Sequence, residues 1–195
     1  ERTTFLISGR YMNQNGLFRY NTDDYNMKNI RAKGSIQVFP WLEVTNNADY
    51  SDMFYHNPMN VGEGSGIWRN IADEGHPSSQ MFNPDGSLTM TSVYTVGDLW
   101  YGKNGIDTKR RVFKNTAGIN TSFFNNTFRI KGDFTFQNTD VDLFRKRVQV
   151  PYSTKPGVTA YVGTTTNDLT FELRTTRYMA SNLYGEYENT FANDH

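Results

Sequence analysis

The stretch Arg110 to Gln137, RRVFKNTAGINTSFFNNTFRIKGDFTFQ, constrains this chain most, because its alternate residues separate into two chemically uniform sets. In its first half Phe113, Asn115, Ala117, Ile119, Thr121 and Phe123 fall on one side of an extended chain, and Lys114, Thr116, Gly118, Asn120 and Ser122 on the other. In its second half Phe128, Ile130, Gly132, Phe134 and Phe136 oppose Thr127, Arg129, Lys131, Asp133, Thr135 and Gln137. A period of two is that of a β-strand with one apolar and one wet face. Asn125-Asn126 between the arms tolerates positive φ and predicts a tight two-residue hairpin turn. Arms of ten or more residues exceed the usual strand of about five or six. They match the length that crosses a bilayer as tilted strands, about 9–11 residues.

The same alternation recurs along the chain. Phe5, Ile7, Gly9 and Tyr11 oppose Leu6, Ser8 and Arg10; Ile30, Ala32, Gly34, Ile36 and Val38 oppose Asn29, Arg31, Lys33, Ser35 and Gln37. After the reversal Phe39-Pro40-Trp41, Leu42, Val44, Asn46, Ala48 and Tyr50 oppose Glu43, Thr45, Asn47, Asp49 and Ser51. Near the end Leu169, Phe171, Leu173, Met179, Leu183, Gly185 and Tyr187 share a parity that Thr175 and Arg177 interrupt. These readings predict six strands, at about 4–11, 28–38, 42–53, 110–124, 127–138 and 169–190. Between them lie long loops at 12–26, 56–109 and 139–168 and short turns at 39–41, 125–126 and 192–194. Short turns alternating with long loops, with aromatic residues beside the turns, are the pattern of an outer-membrane barrel. On that pattern Thr175 and Arg177 sit above the bilayer, where an outward Arg costs little.

Composition agrees with such a wall and narrows the function classes. The chain is 36% hydrophobic but 15% aromatic, with a mean hydropathy of −0.68, and a barrel that turns its apolar residues to lipid needs no apolar centre. No apolar run reaches the roughly 18 residues of a transmembrane helix. The opening ERTTFLISGR is no secretory leader, and the absence of an initiating Met reads as a piece of a longer polypeptide. Twenty basic residues balance twenty acidic ones, which leaves no electrostatic case for nucleic acid. The absence of Cys removes disulfides, thiolate metal sites and Cys nucleophiles.

The candidate functional residues fall into two groups. Arg31, Lys33, Glu43, Asp49, Arg129, Lys131 and Asp133 lie on the polar parity and are expected to line a lumen, as a substrate path, as a contact for a plug, or as a solvated wall with cross-strand ion pairs. Trp68, Tyr94, Trp100 and Tyr101, in the 56–109 loop, offer aromatic surface for a substrate or partner, or pack within the loop. His56 and His76 with Glu63, Asp73 and Glu74 match no ligand spacing, so no metal is expected. Gly62-Glu-Gly-Ser-Gly66 lacks the Lys and preceding strand of a phosphate cradle, and Asn83-Pro-Asp-Gly86 reads as a turn. A short helix is expected over 66–74. No catalytic residue and no cofactor is assigned.

Three runs, YHNPMN (Tyr55 to Asn60), WRNIADEGHPSSQMFNPDGSL (Trp68 to Leu88) and YTVGDLWYGKNG (Tyr94 to Gly105), resemble a barrel segment of the SusC/RagA family of TonB-dependent outer-membrane transporters. Ser8-Gly-Arg-Tyr-Met-Asn-Gln-Asn-Gly16 and Pro40-Trp41-Leu42, each beside a strand, are similar to that family as well. The resemblance implies an all-β, antiparallel transmembrane barrel of 22 strands with long extracellular loops, of which this chain supplies about six, without the plug domain. It also implies location in the bacterial outer membrane, no enzymatic activity, and import of oligosaccharides or peptides. The partners implied are a SusD-like surface lipoprotein, TonB through the plug region, the remainder of the barrel, and outer-membrane lipid. The alternative is a soluble or secreted carbohydrate-binding β-sandwich, which calls for turn signals every 8–12 residues. A β-rich glycosidase would need a carboxylate pair in a cleft, and Asp73 and Glu74 have nothing to place them there.

Overall fold

The structure is a computed structural model that describes residues 2–59, 67–124, 126–162 and 167–188. It is all-β in its main body: one antiparallel sheet in the order β1-β2-β3-β4-β5-β8, a meander with two long excursions, one between the third and fourth members and one between the fifth and sixth. The strands are β1 (Thr3–Asn15), β2 (Asp24–Phe39), β3 (Leu42–Pro58), β4 (Gly105–Phe123), β5 (Phe128–Arg147) and β8 (Asp168–Tyr187). A second sheet is the small hairpin β6 (Val150–Lys155) and β7 (Val158–Val162). Strands β1 and β8 do not pair with each other, so the large sheet is open at both edges.

The strands run further toward the loop end than the alternation predicts. β2 begins at Asp24, β3 continues to Pro58, and β5 reaches Arg147 over 20 residues, a length of about 68 Å. The predicted loops 12–26, 56–109 and 139–168 therefore shrink at both ends. The cause is chemical: where both faces of a strand meet water, the ladder continues but the apolar and polar residues stop alternating. The turn at the other end also differs from expectation. Phe123 pairs with Phe128, so four residues rather than two make the reversal; positive φ falls on Phe124 and Asn126, and the Thr127 N–H donates to the Phe124 carbonyl at 3.1 Å. Asn125 and the expected turn at 192–194 lie outside the described residues.

Register turns the parity of each strand into rows that cross the whole sheet. One row reads Thr3, Ile36, Val44, Ile119, Gly132 and Leu183, and the next Phe5, Gly34, Asn46, Ala117, Phe134 and Ser181. The following rows are Ile7, Ala32, Ala48, Asn115, Phe136, Met179 and then Gly9, Ile30, Tyr50, Phe113, Asn138, Arg177. The apolar face ends at the row Tyr11, Lys28, Asp52, Arg111, Asp140 and Thr175, where charge appears on four consecutive strands. At the short-turn end Phe39, Trp41 and Phe123 stack in series, with ring centroids 5.4 and 5.6 Å apart. Within the apolar face Asn46 and Asn115 exchange side-chain amide hydrogen bonds at 3.1 and 3.2 Å, each satisfying the other.

The connections at the opposite end fold into a cap. α1 (Ile67–Glu74) occupies the stretch expected to be helical. α2 (Met90–Ser92), a π-helical turn (Val93–Gly97) and α3 (Asp98–Tyr101) follow one another without a break, beginning at Thr89, whose side chain accepts from the Ser92 N–H. Gly97 sits in the wide turn because a Cβ there would lie 2.9 Å from the Ser92 carbonyl oxygen and 3.3 Å from Leu88. The buried apolar side chains among the described residues, Leu88, Val93, Leu99 and Val150, all belong to this cap; Met81, Tyr101, Tyr152 and Val162 pack around them.

Candidate functional site

The polar face of the large sheet gathers all seven residues expected to line a lumen. Its rows include Ser8, Arg31, Asp49, Lys114, Gln137, Tyr178 and, nearer the short turns, Thr4, Ser35, Thr45, Gly118, Asp133, Asn182. Pairing on this face is selective. Lys131 meets Glu186 at 3.0 Å, and Arg129 lies between Glu188 at 2.5 Å and Glu186 at 3.4 Å. Arg31, although directly opposite Asp49 in register, donates to the Asn47 side chain at 3.0 Å instead. Asp49 accepts from Asn29 at 3.0 Å and from Ser51 at 3.3 Å, Glu43 from Asn120 at 3.0 Å, and Asp133 from Asn182 at 3.1 Å. Lys33 meets no carboxylate of the described residues within ion-pair distance.

The face is therefore wet: Glu43, Asp49 and Asp133 are held by amides and a hydroxyl and Glu186 and Glu188 by cations, while Arg31, Lys33 and Lys114 meet no carboxylate of the described residues within ion-pair distance. Such a surface suits hydroxyl-rich or amide-rich solutes, because each group can exchange its protein partner for a solute one at little cost.

No family model matches this chain, and no curated protein matches it.

In the cap, Trp100 is more exposed than Tyr94 and Tyr101. Its ring meets Tyr20 edge to face at 4.7 Å between centroids and Phe82 at 5.3 Å, joining the β1–β2 loop to the cap. Tyr101 packs on the cap core, with the Lys103 ammonium 4.6 Å from its ring centroid. Tyr94 is half-buried in the π-helical turn, and Trp68 lies on α1 with its side chain outside the described residues. Tyr101 thus has a packing role, and Trp100 both packs and presents surface.

Sequence reasoning missed the residues that hold the cap to the sheet. Asn104, 2% exposed, donates its side-chain amide to Asp98 at 2.8 Å and to the Val148 carbonyl at 3.0 Å, and its side-chain oxygen accepts from the Val148 N–H at 2.5 Å. Its backbone carbonyl accepts from the Asn21 side chain at 3.0 Å. His56, expected in a loop, is in β3, with one ring nitrogen 2.5 Å from Asp107 on β4 and the other 3.3 Å from the Asn21 side-chain oxygen. His76 lies exposed beyond α1. Residues 21, 56, 104, 107 and 148 thus form one latch, assembled from every long connection. In the turn Asn83-Pro84-Asp85-Gly86, the Ser87 hydroxyl and then the Ser87 N–H donate to Asp85 and hold its carboxyl below the usual range; Gly86 takes φ +80°. The run Gly62 to Gly66 and Glu63 lie outside the described residues.

Proposed function

We propose that this chain is a segment of the wall of a TonB-dependent outer-membrane importer of SusC/RagA type. It takes up oligosaccharides or peptides beneath a SusD-like surface lipoprotein, and it acts as a transporter wall, not as an enzyme. The observation that carries the reading is the large sheet itself. One of its faces is apolar and left uncovered by the described residues across six strands, while the opposite face is polar and hydrogen-bonded. In water an apolar face of that extent would be covered by a second layer, as in a sandwich. In a bilayer it needs no cover, provided that the edges are closed by further strands. The aromatic stack at the short-turn end and the folded cap at the long-loop end support the orientation of such barrels, with short turns toward the periplasm and loops outward. Import of a polar solute fits the polar face, whose leftover cations Arg31 and Lys33 lie on the path.

The test is fractionation of the native protein. It is expected in detergent-extracted outer membrane, within a barrel larger than this chain, and co-purifying with a surface lipoprotein. Recovery as a soluble monomer without detergent would overturn the reading and favour a secreted binding module.

A further inference from the structure

The apolar face of β2 and β3 carries a second feature, a recess at its upper rim and a separate groove further down, with the row of Ile30 and Tyr50 between them. The recess, of about 220 Å³, is lined by Asn26, Lys28, Asp52, Phe54 and Lys109. Two ammonium groups face one carboxylate there, and neither Lys28 nor Lys109 lies within ion-pair distance of a carboxylate among the described residues. The neighbouring cation, Arg111, is committed to Asp142 at 2.7 Å. Below the recess on the same face is an apolar groove of about 400 Å³ lined by Phe5, Ala32, Gly34, Ile36, Val44 and Asn46. Its floor is low because Ala32 and Gly34 carry so little side chain. Asn26, Lys28, Ile30, Ala32, Gly34 and Ile36 share one parity of β2, so recess and groove are in line. From Lys28 to Ile36 is about 26 Å at the rise of an extended strand.

We infer that this line is the binding site of one anionic membrane lipid, with its phosphate in the recess between Lys28 and Lys109 and an acyl chain along the groove at Ala32 and Gly34. The inference rests on the membrane reading above and adds to it a specific lipid position. The chemistry is complementary at both ends. Two ammonium groups that make no contact ion pair among the described residues, although Asp52 and Asp142 stand opposite them in register, attract a phosphate at a bilayer surface, and the Asn26 amide, which donates to Tyr11 at 3.0 Å, would have to exchange that partner to join them. An acyl chain that starts at the recess passes Ile30 and reaches the floor at Ala32 and Gly34, and lying there it covers apolar surface with apolar chain. Asp52 sets a limit on affinity, since its carboxylate opposes the phosphate unless a divalent cation bridges the two.

The experiment uses the full native protein in phosphatidylcholine nanodiscs, titrated with diphosphoryl lipid A and read by native mass spectrometry. Saturable binding is expected, reduced about tenfold or more in Lys28→Ala/Lys109→Ala and retained in Lys28→Arg/Lys109→Arg. Gly34→Leu, which fills the groove and leaves the cations, is expected to weaken lipid A several-fold. Inorganic phosphate, tested in parallel, is expected not to bind. Equal lipid binding by the double alanine variant would overturn the inference and leave the membrane reading standing, and so would phosphate binding as tightly as lipid A. Failure of the native protein to enter nanodiscs would overturn the membrane reading itself, and the inference with it.

Discussion

In the cap the side chains of Val93 and Val150 are wholly removed from solvent, whereas Leu183 and Phe5 on the large sheet leave 75% and 71% of their surface uncovered. The cap is held in the manner of a small soluble domain, by a few buried apolar side chains and by polar groups such as Asn83, whose amide reaches the Ser87 hydroxyl and the Ser153 carbonyl, both at 3.0 Å. The sheet has ladders on every internal strand and polar order on one face, but its apolar face is not covered by the described residues. The difference locates the two sources of stability. The cap supplies its own apolar interior; under the proposed function the sheet draws that part from lipid. Variants can therefore be chosen that harm one region and spare the other.

The largest effect is expected from Val93→Asp, which places an uncompensated charge in the cap core at a cost of about 3–5 kcal/mol. Hydrogen exchange should rise across 81–101 and 150–162 while the centre of β4 and β5 stays protected. A matching loss in the sheet would show that the two regions are one cooperative unit. Phe134→Arg reverses the experiment. In a bilayer it should cost about 2–4 kcal/mol, read by denaturant unfolding from liposomes. In the cap the same substitution is expected to have no effect on exchange.

Asn104→Ala tests the joint between the regions. It removes three side-chain hydrogen bonds, each worth about 1 kcal/mol, and leaves Asp98 and the Val148 backbone short of partners. Proteolysis in the long connections should accelerate while the sheet persists. The smallest effect is the pH dependence of the 83–87 turn. Because Asp85 titrates below its ordinary value when folded, its contribution is complete above that ordinary value and is lost as pH falls through the depressed one. Asp85→Asn should abolish this acid sensitivity of the turn, followed by exchange at Ser87, without altering the sheet.

Alternation made the two faces of the sheet legible, because a strand between two different media must repeat every two residues. It is also why the seven polar-face residues could be grouped from parity alone. It was silent in three places, each for a physical reason. Above the apolar rim both faces are wet, so β2, β3 and β5 outran the pattern. The hairpin β6–β7 is short and packs Val150 and Tyr152 on the cap, leaving no alternation long enough to recognise. The latch of Asn21, His56, Asn104, Asp107 and Val148 joins segments far apart in the chain through side-chain bonds, and spacing cannot reveal these. Register could not predict partners either, as Arg31 shows by passing over Asp49 for Asn47. The reversal after β4 was misjudged because Phe124, a residue rarely at positive φ, adopts φ 52° there.

In the proposed importer wall the apolar face of the sheet meets lipid and the polar face meets water. The absence of native Cys allows single Cys substitutions along β5, at Ile130, Phe134 and Phe136 on one face and Lys131, Asp133 and Thr135 on the other, each spin-labelled in the native protein in liposomes. The account predicts that collision with oxygen, which concentrates in lipid, is high at the first three and that collision with an aqueous nickel chelate is high at the second three, alternating residue by residue. Equal access of the chelate to both sets would contradict it.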